Sequence, residues 1–151
     1  MRTAAFPWPV ALLLLAGCGA TSGAAEAVDG PVLRYAAVSS DGGGMAALVS
    51  GRLELVGDCL YLAVDEVGER YPIVWPAGST WDGERRAVLS ASGVEMPVGS
   101  EVSGGGGYLY VADVEASLGA EAAALAARCV DNSYGEVAFV NNDDGAIGPA
   151  D

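Results

Sequence analysis

The sequence predicts a mainly β fold: a small barrel of six to seven short strands with one helix before the last strand. Three observations predict it. Short apolar or alternating runs recur through residues 45–111, each closed by a turn rich in Gly, Pro, Ser or Asp. Only between residues 114 and 130 does the apolar period lengthen to that of a helix. So many short strands in about a hundred residues leave edges that closure into a barrel removes.

The first strand is read from Ala47, Val49, Gly51, Leu53 and Leu55, which alternate with polar or small neighbours, Gly51 marking a bend or bulge. Gly57-Asp58 turns the chain, and Cys59-Leu60-Tyr61-Leu62-Ala63-Val64 returns, apolar on both faces, to complete a hairpin. After a charged turn at 65–70, Tyr71-Pro72-Ile73-Val74-Trp75 forms a third strand, which Pro72 assigns to a sheet edge or a strand start.

Residues 76–83 are a loop by composition, followed by a strand at 85–90, a turn at Ala91-Ser92-Gly93 and a short strand at Val94-Glu95-Met96. Glu101-Val102-Ser103 leads into glycines 104–107, read as a flexible hairpin connection, and Tyr108-Leu109-Tyr110-Val111 is a strand. In the helix, Leu118, Ala122, Leu125 and Cys129 fall at i, i+4, i+7 and i+11 on one stripe, with Asp113 or Ser117 as cap. Glu136-Val137-Ala138-Phe139-Val140 is the last strand. Residues 45–141 are thus the barrel domain and 142–151 an acidic tail.

A Gly-containing first strand, a tight hairpin and a Gly-rich return resemble an OB-type barrel, from which the chain departs in placing its helix before the last strand rather than between the third and fourth. At the amino terminus, Arg2, the apolar run 10–16 and Leu15-Ala16-Gly17-Cys18 resemble a bacterial lipobox. That resemblance implies a signal peptide at 1–17, a lipid on the Cys18 sulfur and attachment to the cell membrane on its extracytoplasmic side. Residues 18–44, rich in Gly, Ala and Ser, then read as a flexible tether, with 32–38 able to add an edge strand. Gly51-x-Leu53, Gly57-x-Cys59-Leu60, Trp75-Pro76-x-Gly78-x-x-Trp81 and Val98-Gly99-x-x-Val102 resemble small exported lipoproteins of high-GC bacteria, a group that brings no activity with it.

With Cys18 set aside by that resemblance, Cys59 and Cys129 remain as an even pair in an exported compartment, which argues for a disulfide. The helical stripe aims Cys129 toward the hairpin that carries Cys59.

The formal charge is −13, from seven basic residues against twenty acidic ones, and loss of Arg2 with the leader makes it −14. No basic patch exists to neutralise phosphates, which disfavours nucleic acid and charge-driven contact with anionic lipid. Membrane contact therefore falls to the lipid, each buried methylene contributing about 0.8 kcal/mol. All seven basic residues are arginine, and histidine is absent. This removes the Ser-His-Asp triad, the Cys-His pair, the Ser-Lys dyad, the lysine Schiff base and imidazole-ligated zinc. No cofactor or metal is expected.

Four features remain for function. Glycines 104–107 lack the lysine of a phosphate loop and a helix behind them. Asn141-Asn142-Asp143-Asp144-Gly145 lacks the ligand spacing of a calcium loop, since Val140 occupies the first ligand position. Asp82, Glu84, Glu95 and Glu101 keep a two-carboxylate, carbohydrate-active hydrolase open by residue type, though no spacing selects a pair. Tyr71, Trp75 and Trp81 are the candidate binding residues, either as an aromatic platform for a glycan or envelope protein or as core and lid packing. The expectation is a non-catalytic envelope lipoprotein that binds a partner; a hydrolase and a ligand-free structural spacer are the alternatives.

Overall fold

A computed structural model describes residues 28–35, 45–142 and 147–150. Residues 1–17, expected as a signal peptide, Cys18 and much of the expected tether lie outside these residues.

Five strands close the barrel: β3 (Ala47–Val56), β4 (Cys59–Val64), β5 (Glu69–Trp75), β9 (Glu101–Tyr110) and β10 (Glu136–Val140). Around the barrel the order is β3-β4-β5-β10-β9, with β9 pairing back onto β3. All pairings in this ring are antiparallel except β5 with β10. The expected mainly β barrel with a helix before its last barrel strand is therefore present, closed by five strands. Between β5 and β9 a three-stranded meander is inserted, β6 (Thr80–Asp82), β7 (Ala87–Leu89) and β8 (Glu95–Pro97).

Period-two alternation separates two cores. Inward residues of β4 and β5, namely Leu60, Leu62, Tyr71, Ile73 and Trp75, fill the barrel with Leu53, Val102, Ala138 and Val140. Outward residues Tyr61, Val74 and Val137 instead pack beneath the helices against Leu118, Ala122, Leu125 and Cys129. Hence β4 reads as apolar on both faces. Each fully buried large aliphatic side chain contributes about 1.5–3 kcal/mol.

Five local expectations need correction. The tether is not free throughout, because β1 (Val28–Asp29) and β2 (Val32–Arg34) form a hairpin whose second strand runs parallel to β5. Val32, Leu33 and Tyr35 are buried, and Pro31 falls in the turn where its missing N–H costs nothing. The tail is also partly docked: Ile147 is buried, and β11 (Gly148–Pro149) pairs with β9.

Glycines 104–107 form no loop but the middle of β9, between β3 and β10. A Cβ on Gly106 would lie 2.2 Å from the Phe139 carbonyl oxygen and 2.7 Å from Val49 Cγ2, so glycine lets the barrel wall close. Similarly, a Cβ on Gly51 would lie 2.4 Å from the Ala63 carbonyl oxygen.

The single helix is two, α1 (Val111–Leu118) and α2 (Ala120–Cys129), broken at Gly119 with φ 76°. The predicted stripe survives the break, with Leu118, Ala122, Leu125 and Cys129 all buried. Finally, β5 is an interior strand rather than an edge. Pro72 is tolerated because the parallel ladder with β10 starts one residue later, at Ile73.

Candidate functional site

Cys59 and Cys129 form the disulfide, with Cα atoms 5.6 Å apart, tying the start of β4 to the end of α2. Their chain neighbours Asp58 and Arg128 line one cleft. This cleft, of about 460 Å³, is lined by Gly30, Pro31, Leu55, Asp58, Trp81 and Arg128 among others. It lies at the barrel end where the β3–β4 turn meets the β1–β2 turn.

Trp81 on β6 is the aromatic element. Its backbone N–H donates to the Asp29 carboxylate at 3.0 Å, which joins β6 to the β1–β2 hairpin. The next residue, Asp82, accepts backbone N–H bonds from Glu84 and Arg85, each at 3.0 Å, and so fixes the turn that follows. The ring lies over Gly30, where a Cβ would come within 2.9 Å of Trp81 Cδ1. Gly30 also has φ 58°, so both the turn and the ring require glycine there. Trp81 is half-buried, leaving part of the ring accessible.

The three sequence-predicted aromatics are not brought together. Trp75 is 0% exposed and occupies the barrel core. Tyr71 is also buried and packs on Tyr108, with ring centroids 4.6 Å apart. Both alternate onto the inner face of β5, and four residues of strand separate them by about 13 Å. The platform reading is thus corrected for Tyr71 and Trp75, whose role is packing; Trp81 alone borders a cleft. Asp58, Leu55 and Arg128 escaped the sequence reading because only the fold unites a hairpin turn with a helix end. The even cysteine pair was the signal that could have found them, since it neighbours Asp58 and Arg128.

The carboxylates singled out as hydrolase candidates are distributed over surface ion pairs. Arg85 lies 3.7 Å from Asp82 and 3.5 Å from Glu95, and Arg52 lies 3.9 Å from Glu101. Glu84 is exposed. None of the four lines the Trp81 cleft. A smaller hollow of about 220 Å³ is bordered by Gly51, Asp65, Glu66 and Glu101. On its rim Asp65 is held by two hydrogen bonds from Arg52, 3.1 and 3.2 Å.

Among the described residues no group of three Cys, Asp or Glu side chains is placed to hold a metal ion. Asn141 is committed elsewhere, its Oδ1 accepting from Met45 N–H at 3.1 Å and its Nδ2 donating to the Met45 carbonyl at 2.9 Å. Asp143, Asp144 and Gly145 lie outside the described residues. No helix among the described residues is long and apolar enough to cross a membrane. No protein-family model matches the chain, and no match was found among curated proteins or solved structures.

Proposed function

We propose that this protein is a lipid-anchored envelope lipoprotein whose barrel is a non-catalytic binding module, with the Trp81 cleft as its ligand site. The lipobox-like Leu15-Ala16-Gly17-Cys18 supplies the anchor, placing the barrel on the extracytoplasmic side of the membrane. The observation that carries the binding reading is the disulfide whose chain neighbours Asp58 and Arg128 line the same cleft as Trp81. A preorganised cleft loses less free energy to ordering when it binds. An aromatic face with one acceptor and one donor group beside it suits a glycan ring, which offers apolar C–H faces and hydroxyls of both hydrogen-bonding kinds.

Two measurements test the two halves of this reading. Growth with an alkyne fatty acid should label the wild-type chain and leave Cys18→Ser unlabelled; labelling of both would remove the anchor. In-cell crosslinking from the Trp81 loop should capture an envelope glycan or protein, and capture should be lost in Trp81→Ala. Recovery of only neighbouring lipid, with no difference between variants, would leave the spacer reading in its place.

A further inference from the structure

We propose a second interaction surface, independent of the Trp81 cleft: the opposite end of the barrel docks a basic segment of a partner protein. The two ends are separated by the length of β4, whose Cys59 pairs with Val56 beside the cleft and whose Val64 pairs with Glu69 at the far end. Four of the chain's six tyrosines gather at that far end. Tyr71 and Tyr108 pack on each other there, Tyr110 ends β9 and Tyr134 stands in the turn before β10.

Tyr110 and Tyr134 are 57% and 56% exposed, two large aromatics on adjoining segments. The segments do adjoin, since Tyr110 pairs with Glu136 across the ladder and Val111 N–H donates to the Gly135 carbonyl at 3.1 Å. Tyr134 is not on a loose loop. Asn132 Oδ1 accepts from Tyr134 N–H at 3.2 Å and from Glu136 N–H at 3.1 Å, while Ser133 donates to Glu69 through both its N–H and its hydroxyl. An exposed aromatic on a hydrogen-bonded frame has the character of a binding anchor.

Charge selects the occupant. Glu136 pairs with Tyr110 across the ladder and Glu69 accepts from Ser133 next to Tyr134, while Arg70 on this edge is engaged by Asp131 and stacked 5.1 Å over the Tyr61 ring. With a chain charge of −13, anionic partners are repelled. Arginine and lysine side chains are attracted both by the carboxylates and by the faces of the tyrosine rings.

The test uses the full chain in a neutral detergent and an N-acetylated, C-amidated tetra-arginine peptide as probe. Saturable binding is expected, weakened about tenfold by Tyr110→Ala with Tyr134→Ala and about threefold by Glu136→Gln. Glu84→Gln, on the meander, should leave it unchanged, and circular dichroism should show the double variant folded. Equal affinity in the tyrosine double variant would overturn the proposal, as it would mean attraction by bulk charge alone. So would absence of saturation, or equally tight binding of a neutral oligosaccharide at these tyrosines. Because Trp81→Ala leaves this end untouched, failure here and failure of the cleft reading are separable.

Discussion

The Tyr61 hydroxyl donates to the Cys129 carbonyl over 2.8 Å, beside the disulfide that ties the same Cys129 to Cys59. Cys59 and Tyr61 are two apart on β4, so both point outward and together they grip the last turn of α2. The final carbonyls of a helix have no partner within it, and Tyr61 satisfies one of them in a buried setting. Tyr61→Phe keeps the packing and removes the donor. It should lower stability by about 1–2 kcal/mol in urea unfolding with the disulfide intact. A change of only a few tenths would mean that solvent replaces the bond.

Removing the covalent half of the grip should cost more. The loop closed spans a sequence separation of 70, for which the chain-entropy model gives about 4 kcal/mol. Cys59→Ser with Cys129→Ser should therefore lower the melting temperature well beyond Tyr61→Phe. Far-ultraviolet circular dichroism at low temperature should stay barrel-like, because both cores are built mainly from other residues. Equal melting temperatures with and without the bridge would refute this division of labour.

Much of the barrel was legible from residue order because its strands obey period two and its turns carry glycine or aspartate. The hairpin of β3 and β4, the β7–β8 pair, β10 and the stripe through Leu118 and Cys129 all follow from local pattern. What was hidden depends on distant partners. Residues 32–38 read as able to add an edge strand, but the burial of Leu33 and Tyr35 depends on β5 and the helices that cover them. Glycines 104–107 look like a loop because propensity says so, and only the closeness of β3 and β10 explains a strand. The cleft was least legible: Trp81 was found by type, while Asp58 and Arg128 became neighbours only through the disulfide.

Gly106 tests that account of the glycine run. Gly106→Ala places a methyl against the Phe139 carbonyl and Val49, where backbone must move, and should destabilise by about 3 kcal/mol. Gly148→Ala is the comparison, since a Cβ there meets nothing within 4 Å. It should change stability by less than about 0.5 kcal/mol. Equal effects in chemical denaturation would show that crowding is not the reason for glycine at 106.

High pH should unfold the domain from a defined starting point. Burial is the leading cause raising the Tyr61, Tyr71 and Tyr108 phenols above their ordinary value of 10.0. Nearby acids add to it, Asp131 for Tyr61, Glu69 first for Tyr71 and Glu136 for Tyr108, while Arg70 partly offsets it at Tyr61. A group that holds its proton more tightly when folded stabilises fully below its unfolded pKa, and that stability is lost as pH rises through the folded pKa. Stability should be level with respect to these phenols up to about pH 9 and fall above about pH 10. Tyrosinate absorbance from Tyr61, Tyr71 and Tyr108 should rise as the domain unfolds. Ionisation of these three phenols at their ordinary value, with no change in unfolding free energy, would contradict this.

Asn132 offers the sharpest test of how the far end of the barrel is held. Its amide makes four bonds: Oδ1 accepts from Tyr134 and Glu136 N–H, and Nδ2 donates to the Arg70 carbonyl at 3.0 Å and the Glu136 carbonyl at 2.8 Å. Asn132→Asp has the same shape and keeps the accepting half, but it sets a carboxylate oxygen against two carbonyls. Asn132→Ala removes both halves and leaves room for water in a half-exposed position. The isosteric change should therefore be at least as damaging as the truncation, each costing about 2 kcal/mol or more in urea unfolding. If Asn132→Asp proves neutral, the two donations contribute nothing and Tyr134 is held by the accepting oxygen of residue 132 together with Ser133 and Glu69. Amide exchange at Tyr134 and Glu136 distinguishes these cases, since it should accelerate in Asn132→Ala and change little in Asn132→Asp.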